Sequence, residues 1–156
     1  LAIAPADHQR VAHFTLLTTE KTTEKTNDEI TEITMDSLKT ITLFQKEEPK
    51  SYAAGEVIFA QGDRAEYLYG VLEGKVEMRV DGHPLEIIKA GEMFGEGALV
   101  HSDKLRSSTA VAKTDCKLAV LDEERFLFAV QETPMFAIQV MRSYSDRMRR
   151  MRMLLI

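Results

Sequence analysis

All eight glycines of the chain fall between positions 55 and 97, where they separate short runs rich in β-branched and aromatic residues. Val57–Phe59, Tyr67–Leu72, Lys75–Val80, Leu85–Ile88, Thr109–Ala112 and Lys117–Leu121 are each strand-sized. Asp81-Gly82, between two of these runs, is a tight-hairpin signal, since such turns need positive φ. The runs are spaced by turns, without the long crossover helices that parallel strands usually need. The spacing therefore predicts a mainly β fold with flanking helices, an antiparallel jelly-roll barrel over residues 49–121. One interruption stands out. Gly95 to Leu99 reads as a short helical turn lodged inside the β region.

The flanks follow a different period. Residues 27–48 form a helical segment in which Asn27 can cap and Ile30, Ile33, Leu38 and Ile41 recur at helical intervals, ending before Pro49. Upstream, the tandem tetrapeptide TTEKTTEKT can bury no apolar surface, so residues 1–26 are expected to be a flexible tail. After Leu121, Asp122 is a candidate N-cap, and Thr133-Pro134 signals the start of a helix running to the chain end. Residues 122–156 are thus C-terminal helices, expected to serve as lid and dimerisation surface. Met141, Tyr144, Met148, Met151 and Leu155 are spaced 3, 4, 3 and 4, a seam over two heptads. A two-fold homodimer through this helix is the expected assembly, since two such stripes would otherwise meet water.

Charge and composition exclude several function classes. The net charge of −5 argues against a general nucleic-acid coat, although residues 134–156 carry five Arg against one Asp. Arginines flanking an apolar seam read first as the solvated flank of a helix. No apolar run approaches the ~18 residues that span a bilayer, and the first 17 residues, with Pro5, Asp7 and Arg10, form no secretory core. The chain lacks an initial Met, so a processed or trimmed product is expected. Cys116 stands alone, with no disulfide framework or metal knuckle, and a cytoplasmic setting is expected. In the β region only His83 and His101 could serve a metal, and they read as solvated loop residues; no catalytic constellation is visible, so no enzyme activity, metal or cofactor is expected.

The chemistry concentrates in Phe94-Gly95-Glu96-Gly97-Ala98-Leu99 and, downstream, Arg106-Ser107-Ser108-Thr109-Ala110. Gly95 and Gly97 permit a close backbone approach to a ligand. A helical turn opening at Glu96 would turn unpaired N–H groups toward an anion. Arg106 offers a planar fork for two phosphate oxygens, with hydroxyls from Ser107 and Ser108 beside it. Glu96 would be repelled by a phosphate, so it suits a neutral donor such as a sugar hydroxyl. Glycines in tight turns and an arginine in a surface ion pair would account for the same composition without any ligand.

From about Tyr52 to Met151 the sequence resembles a cyclic nucleotide-binding domain, of the kind found in catabolite activator proteins and in regulatory subunits of cyclic-nucleotide-dependent kinases. AAGEVIFAQGDRAEYLYGVLEGKVEM is similar to the family's opening strands, and FGEGALVHSDKLRSSTAVA to its phosphate-binding cassette. The resemblance implies that Glu96 takes the ribose 2′-hydroxyl and Arg106 the cyclic phosphate, with backbone groups of Gly97 and Ala98 and the hydroxyl of Ser107 alongside. Gly97 replaces the family's usual aliphatic residue, Leu105 a common proline and Ser108 a frequent alanine. In catabolite activator proteins, hydroxyls on the long helix recognise adenine; ungapped alignment from Arg106 puts Met151 and Arg152 there, so adenine recognition would pass to Met packing.

The implied function is a non-enzymatic sensor that binds a cyclic nucleotide, cAMP more than cGMP, and transmits occupancy through its C-terminal helix, with Met151 over the base. The chain as given ends at Ile156, so no DNA-reading helix-turn-helix is expected; nor is a membrane contact, and the sequence names no downstream protein partner. The alternative is a barrel of the same kind that has lost its ligand and serves as a dimerisation or docking module.

Overall fold

The computed structural model describes residues 37–155. The expectations for the tail, for Asn27, Ile30 and Ile33, and for Ile156 lie outside them. Helix α1 covers residues 37–44. Strands β1 (Lys50–Tyr52), β2 (Val57–Phe59), β3 (Tyr67–Glu73), β4 (Lys75–Val80), β5 (His83–Lys89) and β6 (Met93–Phe94) follow. Then come helix α2 (Glu96–Val100), strands β7 (Thr109–Ala112) and β8 (Cys116–Asp122), and helices α3 (Glu123–Glu132) and α4 (Met135–Met153). Two four-stranded sheets form, ordered β1-β8-β3-β6 and β2-β7-β4-β5, with antiparallel pairing throughout. This is the mainly β, jelly-roll architecture expected.

The hairpin between β4 and β5 turns on Asp81 (φ 51°) and Gly82 (φ 78°), the pair of positive angles that a two-residue turn matching strand twist requires. Strand β5 begins at His83 and includes Pro84, two residues ahead of the Leu85–Ile88 run. Two short strands, β1 and β6, were too brief to carry a periodic signal.

Alternation along β3 and β8 divides the protein between two cores. Tyr69 and Val71, with Leu118 and Val120, face the barrel interior beside Phe59, Val76, Ile88 and Phe94. Leu68, with Ala119 and Leu121, faces outward under Leu38, Ile41, Ala129, Phe136 and Val140 of the helices. Gly70 lies at the contact with α1: a Cβ there would stand 2.6 Å from Leu38 Cδ2 and 3.1 Å from Ile41 Cδ1. Its role is close packing of helix on sheet.

Asp122 caps α3 as expected, its carboxylate accepting from the Arg125 amide at 2.7 Å. Thr133 does not cap α4. Its backbone ends α3, with its N–H donating to Ala129 O, and Pro134 takes the cap position of α4 with no side-chain hydrogen bond. Helix α4 stops at Met153. Met141, Tyr144 and Met148 on it are 59%, 47% and 44% exposed, so much of the seam remains accessible.

Candidate functional site

The cassette is assembled around one buried arginine. Arg106 is 4% exposed, with its guanidinium 3.9 Å from the centre of the Phe59 ring. Its backbone is fixed by the loop after β2: the Arg106 amide donates to Asp63 O and the Gly62 amide donates to Arg106 O, each at 2.8 Å. The side chain donates through Nη1 to Gly95 O at 2.7 Å and through Nη2 to Tyr67 O at 2.6 Å. Nε is buried and has no partner. Burial pulls its pKa below the ordinary guanidinium value, with nearby Tyr69, Glu96, Asp63 and Glu66 opposing. The cation is thus pre-set, with its Nε uncommitted.

Gly95 makes this possible twice over. Its φ of 82° is the left-handed conformation that opens α2, and a Cβ would lie 2.9 Å from Arg106 Nη1. Behind it, Tyr69 and Phe94 stack with ring centres 5.0 Å apart, and Phe59 lies 5.8 Å from Tyr69, giving the guanidinium a rigid aromatic floor.

Glu96 begins α2 and is 7% exposed. Its Oε1 accepts from Arg147 Nη1 at 3.0 Å; Oε2 is buried without a partner. Burial pushes the carboxyl of Glu96 upward, and Arg147 opposes that shift. Arg147 comes from α4 and is itself 8% exposed. Burial alone would lower its pKa, but hydrogen bonding to Glu86 and the charges of Glu96 and Glu86 carry it upward. One turn on, Arg150 pairs with Glu92.

A cavity of about 270 Å³ opens between these groups. Gly95, Glu96, Gly97, Ala98, Arg106, Ser107 and Ser108 all line it, so the cassette residues singled out in the sequence are brought together. A Cβ at Gly97 would meet nothing within 4 Å, so this backbone is open to an approaching molecule. Phe59, Met78, His101, Asp103, Leu105, Tyr144 and Arg147 complete the lining. Met151 and Arg152 do not line it. Helix α4 meets the cavity at Tyr144 and Arg147, and Met151 is a full turn beyond Arg147.

The cavity is lined by a buried cation whose Nε lacks a partner, a buried carboxylate whose Oε2 lacks a donor, two serines and the open backbone of Gly97. A family model described as the cyclic nucleotide-binding domain matches residues 49–133, more than half of the chain. The chain belongs to the cyclic nucleotide-binding domain family. A cAMP-dependent protein kinase regulatory subunit from Eremothecium gossypii is 33% identical over 125 residues, covering 73% of this chain and 27% of that protein. A cyclic AMP receptor protein from Thermus thermophilus is 34% identical over 103 residues, covering 63% of this chain and 47% of that protein. The crystal structure of the Thermus thermophilus catabolite activator protein superposes with a TM-score of 0.63 at 30% identity, over 77% of this chain and 57% of that one. The chain therefore spans less than half the length of these two curated relatives.

Within this cyclic nucleotide-binding fold, the residue that sequence reasoning missed is Arg147. It was grouped with the solvated arginines of α4, but it shares the inward stripe with the buried Phe136 and Val140. Positions 136, 140 and 147 fall on one helical face, and a cation on that face was the available signal. Among the described residues, no cluster of His, Cys, Asp and Glu could hold a metal, and no helix is long and apolar enough to cross a membrane.

Proposed function

We propose that this domain binds a cyclic nucleotide, cAMP in preference to cGMP, and reports its presence through α4. The observation that carries the reading is that Arg106 and Glu96 line one cavity and each keeps a buried atom without a partner, Nε and Oε2. A buried polar group without a partner costs roughly 1–3 kcal/mol, and a ligand supplying both partners removes that cost. A phosphate oxygen accepts from Arg106 and a ribose hydroxyl donates to Glu96, which is the pairing a 3′,5′-cyclic nucleotide offers within one small molecule. Ser107 and Ser108 add hydroxyl donors to the phosphate, and Tyr144 supplies an aromatic face from α4. The preference for cAMP draws on the names of the relatives, a cAMP-dependent kinase subunit and a cyclic AMP receptor.

Helix α4 is the reporting element because Arg147 ties it to the carboxylate that the ligand meets. Filling the cavity changes what Glu96 bonds, and so changes the balance that holds α4 in place. In this reading the same helix is also the homodimer surface, and the exposure of Met141 and Met148 supports that assignment.

Calorimetric titration of cAMP and, separately, cGMP into protein stripped of nucleotide tests the reading. Micromolar or tighter binding, stronger for cAMP, is the expected result. Folded protein that gives neither heat nor a thermal shift with either nucleotide would favour the ligand-free docking module instead.

A further inference from the structure

Arg147 is held from two sides. Glu86, on β5, takes one edge of the guanidinium: its Oε1 lies 2.6 Å from Nη2, and its two oxygens lie 3.2 and 3.3 Å from Nε. This leaves Nη1, which donates to Glu96 Oε1 at 3.0 Å and to Met93 O at 3.2 Å. The side chains of Glu86 and Glu96 are 8% and 9% exposed, so two buried carboxylates share one cation. A guanidinium is a rigid planar fork. With one edge spent on Glu86 it reaches one oxygen of Glu96, and the other stays unpaired. An uncommitted guanidinium facing a single carboxylate takes the two-oxygen geometry. In that arrangement Glu96 Oε2 would be occupied before any ligand arrived.

We propose that Glu86 is a positioning residue for the nucleotide site: by occupying one edge of Arg147 it keeps Glu96 Oε2 open as the acceptor for a sugar hydroxyl. Glu86 stands outside the cassette and outside the cavity lining, and it acts on the ligand through Arg147. The inference rests on the cyclic nucleotide reading and adds to it the residue that sets discrimination between ribose and deoxyribose. The charges agree in sense. Glu86 is one of the groups that push the Glu96 carboxyl upward, against Arg147 and Arg106.

The test compares cAMP and cGMP, each beside its 2′-deoxy analogue, by calorimetry on the wild type and on Glu86→Gln. In the wild type, losing a hydroxyl that bonds a charged acceptor weakens binding roughly ten- to hundredfold. In Glu86→Gln the ribonucleotide weakens until the ratio to its deoxy analogue is within about threefold, while the deoxy analogue, held by Arg106, changes less than about threefold. A residue with a merely structural role would weaken both alike. Equal weakening of both, or a variant that keeps the wild-type ratio, overturns the proposal. So does a wild type that binds both nucleotide and analogue equally, which leaves the nucleotide reading intact; a wild type that binds neither overturns both. If Glu86→Gln shows no cooperative melting, Glu86→Asp, whose carboxylate stops one methylene short of Arg147, carries the same comparison with the same expected collapse.

Discussion

Replacing Arg106 with alanine removes the group around which the cassette is built, and its consequences divide into two measurable parts. The first is folding. Two charge-assisted hydrogen bonds, to Gly95 O and Tyr67 O, disappear together with the packing on Phe59. Bonds to charged groups contribute about 1.5–3 kcal/mol each, and relief of the cation's own burial offsets part of that sum. A net loss of about 1–3 kcal/mol follows, which lowers the melting temperature by several degrees. The second is binding. Truncating one partner of a buried charge pair costs about 2–5 kcal/mol, so affinity for a cyclic nucleotide falls by roughly 30- to several-thousandfold. With Arg106 only 4% exposed, little water reaches the phosphate to replace it, which favours the upper half of that range. The assay is calorimetric titration at a temperature where circular dichroism shows the variant folded. Arg106→Lys runs beside it, because lysine keeps the charge without the fork that spans both carbonyls. Wild-type affinity to within about threefold in folded Arg106→Ala would refute the assignment of the phosphate to this residue.

Three further perturbations probe the neighbouring parts. Gly95→Ala introduces a side chain at a φ of 82° and within 2.9 Å of Arg106 Nη1, so it should cost about 1–2 kcal/mol of stability and at least tenfold in nucleotide affinity, read by melting and titration. Glu77 is held below the ordinary carboxylate range by hydrogen bonds from Arg79 and Lys113. Its contribution is therefore present above that range and lost as pH falls through the depressed value; melting curves from pH 6 down to 3 should show Glu77→Gln losing part of the wild type's acid sensitivity. Met148→Glu places a charge on the 44%-exposed seam of α4; for the proposed dimer, sedimentation should show wild type as a dimer and this variant as a monomer with nucleotide affinity retained.

Much of the barrel was legible in the sequence because each of its longer strands carries its own punctuation. Asp81-Gly82 and the β-branched runs on either side of it specify the hairpin locally. The cassette was legible for a similar reason, since Gly95, Glu96 and Arg106 lie within one short segment and need only a single turn of helix to converge. Strands β1 and β6 were not, being two or three residues that become strands only when β8 and β3 lend them partners. The start of α4 was misassigned at Thr133 because a residue that can cap one helix was needed to end the one before it. The half of the site contributed from a distance was hidden too. Glu86 and Arg147 are 61 residues apart, and nothing in the local pattern of either announces the other. Met151 and Arg152 were placed by counting residues from Arg106, which fixes a position along a helix but not how far that helix extends over the cavity.

Strand β6 is two residues long, and its residues answer to different neighbourhoods. Met93 inserts its side chain among the helices while its carbonyl accepts from Arg147; Phe94, next in line, lies flat against Tyr69 beneath Arg106. A backbone this short has no slack with which to adjust one without tilting the other. Sequence drift at these two positions should accordingly be correlated across their separate surroundings. A bulkier residue under α4 would have to be matched by a change in the aromatic floor, and a lineage that reshapes its ligand would be expected to rewrite the seat of its last helix in the same step.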